Sequence, residues 1–195
     1  MYRTTGPAFD AQPFGSIADT QVGNMKLAFA DANTATLTYT YNGTTVTKSI
    51  TREAFAATAP TSCQWSAFDR SFSTNYQDLW FNPNESGWGV NVAQQGSTIF
   101  ATLFTYDRSG KGLWLVLPDG RETTPGTFSG TIYTTRGPSF DASPWSTISN
   151  TPVGTMTFTF SNGNAGTLTY TFDGVTVTKS IQREVFGAMR TDCGS

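Results

Sequence analysis

Residues Tyr2 to Phe55 align without a gap onto Tyr133 to Phe186, with about thirty of the 54 positions identical. The matches run through Gly6-Pro7 and Gly137-Pro138, Phe9-Asp-Ala11 and Phe140-Asp-Ala142, and Leu37-Thr-Tyr-Thr40 and Leu168-Thr-Tyr-Thr171. They continue through Thr47-Lys-Ser-Ile50 and Thr178-Lys-Ser-Ile181, and a cysteine follows each copy, Cys63 and Cys193. The stretch from about Asn75 to Thr131 has no earlier counterpart. The chain therefore reads as a half repeat over 1–61 and a full repeat over 62–195, with Ala56–Ser62 as a small polar linker. Met1 stands opposite Ile132, inside a strand of the second copy, so the frame is expected to begin within a repeat.

Alternation makes the repeat a β-structure. Met156, Phe158 and Phe160 share one face while Thr155, Thr157 and Thr159 share the other. Leu168, Tyr170 and Phe172 alternate with threonines in the same way, as do Val175, Val177 and Ile181 with Thr176, Thr178 and Ser180. One apolar face and one hydroxylated face is the half-buried antiparallel pattern. Asn42-Gly43 and Asp173-Gly174 fall between alternating runs and predict two-residue hairpins, because both central residues accept positive φ. About eight strands are expected from Gly87 to Phe186, an up-and-down antiparallel meander that closes into one eight-stranded barrel. The first copy then supplies only the last four strands of such a barrel. Its apolar face needs a partner: a second copy of the chain, the full unit, or residues upstream.

Charge and composition remove several functions. Charged residues make up 13% of the chain and the formal net charge is −2, with no basic run to release counterions from a nucleic acid. No apolar stretch is long enough for a membrane-spanning helix. Histidine is absent, which excludes His-based triads, His general bases and most zinc or iron sites. No cofactor and no metal is expected.

The residues Asn82-Pro-Asn-Glu-Ser-Gly-Trp-Gly-Val-Asn-Val92, Thr102-Leu-Phe-Thr-Tyr-Asp107 and Leu113-Trp-Leu115 carry a resemblance. They resemble a tandem repeat found near the C-termini of many secreted or surface proteobacterial proteins of uncharacterised function. The resemblance implies export and a modular role, and it transfers no catalytic residue. A second likeness is to calycins, in which a Gly-x-Trp early in the first strand packs beneath an arginine from the last. That likeness implies that Gly87-Trp88 and Arg183 take those parts, joined by a cation–π contact.

Candidate binding residues are Glu85 and Trp88 in the Asn82–Trp88 loop, Trp114, and Trp145 in the long Gly137–Pro152 connection. Glu85 could accept hydrogen bonds from a ligand while the tryptophans stack on a glycan or small hydrophobic molecule at the barrel mouth. The plainer reading makes Glu85 a loop residue bonding nearby amides and makes the aromatics core. A carboxylate-dependent hydrolase would draw on Glu85, Asp107, Asp141 or Glu184, but no spacing makes two of them converge. Cys63 and Cys193 bracket the full unit; an oxidising compartment would join them in a structural disulfide, and two unpaired thiols is the other reading. The expectation is thus a non-catalytic, secreted or surface-displayed barrel module that forms homo-oligomers through its N-terminal half-unit.

Overall fold

Eight antiparallel strands close into a barrel over the second repeat, and five more form an open half-unit over the first. This is an all-β fold. The computed structural model describes residues 1–56, 63–64, 70–187 and 192–193. The half-unit holds β1 (Tyr2–Thr5), β2 (Ala18–Gln21), β3 (Gly23–Phe29), β4 (Thr34–Tyr41) and β5 (Thr44–Thr51). A short β6 (Cys63–Gln64) precedes the barrel strands β7 (Asp78–Phe81), β8 (Gly89–Gln95), β9 (Thr98–Tyr106) and β10 (Gly112–Thr124). The barrel continues through β11 (Thr127–Arg136), β12 (Ser149–Asn162), β13 (Ala165–Phe172) and β14 (Val175–Arg183), and β15 (Asp192–Cys193) follows.

Each barrel strand pairs with the next, and β14 closes on β7 through Gln182 opposite Phe81 and Arg183 opposite Trp80. Seven of these strands lie in the span read from sequence as strand-rich, but the eighth, β7, lies before Gly87 and was not anticipated. Closure leaves no free edge in this sheet. The interior is filled by inward positions of every strand, among them Val90, Leu103, Leu115, Phe128, Met156, Phe158 and Leu168. Tyr76 stacks on Phe160 with 4.2 Å between ring centroids and fills one end. There Arg70 and Arg183 converge on Asp78 at 3.2 and 3.4 Å, and burial lowers the Arg70 pKa from its ordinary value.

The two hairpins form as their sequences dictate. Asn42 and Gly43 adopt φ of 47° and 81°, and Asp173 and Gly174 adopt 52° and 73°. The same bulge occurs in both copies. Ile132 faces Gly154 and Tyr133 faces Pro152, so Val153 is left over in β12, and its counterpart Val22 separates β2 from β3. Gly154 and Gly23 follow that bulge, and a Cβ on either would strike the backbone carbonyl of Thr171 or Thr40. Only glycine fits there. On the hydroxylated face, Thr169 pairs Thr178 and Thr171 pairs Thr176 through Oγ1 atoms, and Thr38–Thr47 and Thr40–Thr45 repeat the pattern.

Burial separates the copies. Met156, Phe158 and Phe160 are 0%, 0% and 6% exposed inside the barrel, whereas their counterparts Met25, Leu27 and Phe29 are 55%, 47% and 71% exposed on β3. The full unit therefore leaves the β3 side of the half-unit's apolar face uncovered. β6 and β15 pair with Cys63 directly opposite Cys193 along the backbone. The cysteine side chains, and with them the expected disulfide, lie outside the described residues, as does Trp65.

Candidate functional site

The chemistry-bearing residues gather at the barrel mouth opposite Tyr76. Asn82 opens the β7–β8 loop by accepting the Asn84 amide on its side chain and the Glu85 amide on its carbonyl. That turn delivers the Glu85 carboxylate inward, where Oε2 accepts from Trp88 Nε1 at 2.9 Å and from Lys179 Nζ at 2.7 Å. Lys179 sits on β14 between Val177 and Ile181, on the inward face, with its side chain 3% exposed against 17% for Glu85. A buried ammonium is tolerated only when paired, and this one also lies 5.3 Å from the Phe14 ring and 5.8 Å from the Trp88 ring. Glu85 is thus engaged by the protein's own cation.

The mouth itself is filled by the first repeat. The Gly6–Ile17 connection of the half-unit crosses to the barrel and inserts Phe9, which is 1% exposed. Phe9 packs edge-on against Phe172 at 5.0 Å, and its carbonyl accepts from the Tyr170 hydroxyl at 3.1 Å. Burial pushes the Tyr170 phenol well above the usual tyrosine range, which keeps it a donor. The Gly6 and Phe9 amides donate to Gly110 and Tyr106 on the β9–β10 hairpin. Arg108 clamps the arm from outside, 2.9 Å from Asp10 and over the Phe9 ring.

The exchange is reciprocal. The Gly137–Ile148 connection of the second repeat lies against the half-unit, where Tyr39 donates to the Phe140 carbonyl at 3.1 Å and Tyr41 meets the Phe140 ring edge-on. Lys48, the counterpart of Lys179, lies 3.8 Å from the Trp145 ring, the counterpart of Phe14. Each repeat's arm caps the other repeat.

The four candidate binding residues separate accordingly. Glu85 and Trp88 touch each other inside the mouth, Trp145 belongs to the half-unit contact, and Trp114 is on the outer wall. Trp114 is out of phase with the fully buried Leu115 and is 50% exposed, paired across strands with Phe104 and bonded to Thr135. Beside it lies a shallow hollow of about 140 Å³ bordered by Thr4, Phe104, Tyr106 and Leu113, small against the roughly 300–1,000 Å³ of ligand pockets. The cation beside Trp88 is Lys179, while Arg183, four residues along β14, pairs with Asp78. Asp107 is held below its ordinary pKa by bonds from Ser109 and from the Lys111 amide in its own turn. Asp141 accepts from Ser139. No group of three or more His, Cys, Asp or Glu able to hold a metal ion occurs among the described residues.

Sequence reasoning missed Lys179 and Phe9. A signal for Lys179 was present: a lysine interrupts the apolar alternation at the same inward position in both copies, Lys48 and Lys179. Phe9 had only its identity with Phe140 inside a connection, which does not say which unit it caps.

No family model matches this chain and no curated protein matches it. A solved structure from Nostoc punctiforme, a protein of unknown function from the DUF3598 family, is similar at 14% identity with a TM-score of 0.22. The alignment covers 92% of this chain and 64% of that one.

Proposed function

We propose that the protein is a non-catalytic repeat module of an exported, surface-displayed assembly, and that the bare face of β3–β5 is where it associates with a further copy of its own repeat. One observation carries this: Met25, Leu27 and Phe29 lie open to solvent at positions that the second copy buries completely or nearly so. Met25 faces the half-buried Tyr39 and Leu27 the half-buried Leu37 across the ladder, and with Phe29 they form one apolar patch along β3. Export rests on the motif resemblance. The absence of catalysis rests on Glu85 and Asp107 being committed to internal partners.

With nothing else supplied, the chain is expected to self-associate as its concentration rises, read by light scattering after size-exclusion chromatography. Leu27→Lys combined with Phe29→Lys should abolish that association, because each added ammonium would have to be desolvated at the contact. Thr36→Lys, on the opposite face of the same sheet, should leave it intact. A monomer mass across the whole range for wild type and variants alike would overturn the reading.

A further inference from the structure

We infer that the seat formed by β3–β5 and the Gly137–Ile148 arm takes one particular occupant: a four-strand half-barrel of the β7–β10 type, supplied by a further repeat and carrying a carboxylate at the Glu85 position. The inference rests on the association reading above and names what occupies the surface.

The barrel is the template. Its β12–β14 sheet shares most inward residues with β3–β5, among them Met156 and Met25, Phe160 and Phe29, Leu168 and Leu37, and Lys179 and Lys48, and in the closed barrel they are buried in one core with Val90, Leu103 and Leu115 of β8–β10. Two further features of the half-unit ask for the same cover. In the barrel the inward lysine is held by Glu85 at 2.7 Å, whereas Lys48 makes no ion pair among the described residues and rests on the Trp145 ring. In the barrel the arm's amides, Gly6 and Phe9, donate to carbonyls of the β9–β10 hairpin, whereas the matching Gly137 and Phe140 amides have no backbone acceptor among the described residues. A β7–β10-type half brings both the carboxylate and the carbonyls. It also brings an arginine at the Arg108 position to face Asp141, as Arg108 faces Asp10.

Area argues against two bare faces meeting as the preferred arrangement. A three-stranded sheet of eight-residue strands presents a face of about 25 by 14 Å, on the order of 350 Å². A standard interface buries about 800 Å² per partner. A second copy of this chain has its β7–β10 half inside its own barrel, so it can offer only another bare face. A free β7–β10-type half adds edge pairing with β5 and β1 and docking of the arm to the same apolar contact.

The test places a second Arg70–Thr131 segment directly ahead of Met1 in the full chain. Native-state hydrogen exchange is expected to show protection of the β3–β5 amides rising on the order of a hundredfold, toward that of β12–β14. Self-association should disappear. Lys48→Glu should reduce the new protection about tenfold or more in the extended chain, a larger loss than in the original chain, where it removes only the contact with the Trp145 ring. Unchanged β3–β5 exchange, with β12–β14 still protected, overturns the inference. If the original chain nevertheless self-associates through Leu27 and Phe29, the association reading survives alone. Should the extended chain fail to fold, the same segment placed behind a flexible linker after Ser195 of the full chain gives the same decision: β3–β5 protection that rises and falls again on Lys48→Glu supports the inference, and unchanged β3–β5 exchange beside a protected β12–β14 overturns it.

Discussion

Met156→Ala is expected to destabilise the barrel by about 2–5 kcal/mol, while Met25→Ala changes stability by no more than about 0.5 kcal/mol. The two methionines occupy the same repeat position, follow the same glycine by two residues and face the same tyrosine across the ladder, Tyr170 or Tyr39. They differ in surroundings: Met156 is fully buried and Met25 is 55% exposed. Truncating Met156 removes its transfer free energy and leaves a void that closed strands cannot collapse around. Truncating Met25 removes atoms that water already reaches. Urea unfolding followed by tryptophan fluorescence, with Trp80 buried in the barrel as reporter, measures both. Equal costs would mean that the copies share one environment, contrary to the arrangement described.

Glu85→Ala is expected to cost about 3–5 kcal/mol, because it strands the Lys179 ammonium among Phe14, Trp88 and the barrel wall. Most of that loss should return when the lysine is removed as well, in Glu85→Leu with Lys179→Met, since a buried pair replaced by apolar groups of similar volume is often neutral. The three unfolding free energies form the measurement. A single-variant cost under about 1 kcal/mol would show that water enters the mouth past Phe9 and solvates the lysine. The comparison also separates a structural pair from a ligand site: a carboxylate kept for a ligand would not be tied so closely to the stability of the barrel.

The strands that alternate strictly were legible in the sequence. β12, β13 and β14 display their threonine and apolar faces residue by residue, and the Asn42-Gly43 and Asp173-Gly174 turns demand the positive φ they adopt. β7 was not legible, because Asp78-Leu-Trp-Phe is four residues without alternation, and it is a strand only by pairing with β8 and with β14. The candidate site was half legible. Glu85 and Trp88 are neighbours in a turn and were singled out together, but what fills the mouth with them comes from far along the chain. Phe9 arrives from the other repeat, and Lys179 from the last barrel strand. Such contacts depend on which repeat each arm crosses to, and local patterning does not encode that. The exposed face of β3 was foreseen as apolar and in need of cover. That the full unit leaves it bare is a property of the three-dimensional arrangement, since the two units touch through their arms and through Glu53, Phe55 and Ala56 against Gln95 and Phe100 instead.

Methionine oxidation by dilute peroxide, followed by peptide mass spectrometry on dilute wild-type chain, tests this arrangement most directly. A thioether oxidises according to its exposure. Met25 should convert to the sulfoxide readily while Met156 stays protected until the barrel unfolds. Matched protection of the two would contradict the account, because it would place the half-unit's apolar face under cover within the single chain.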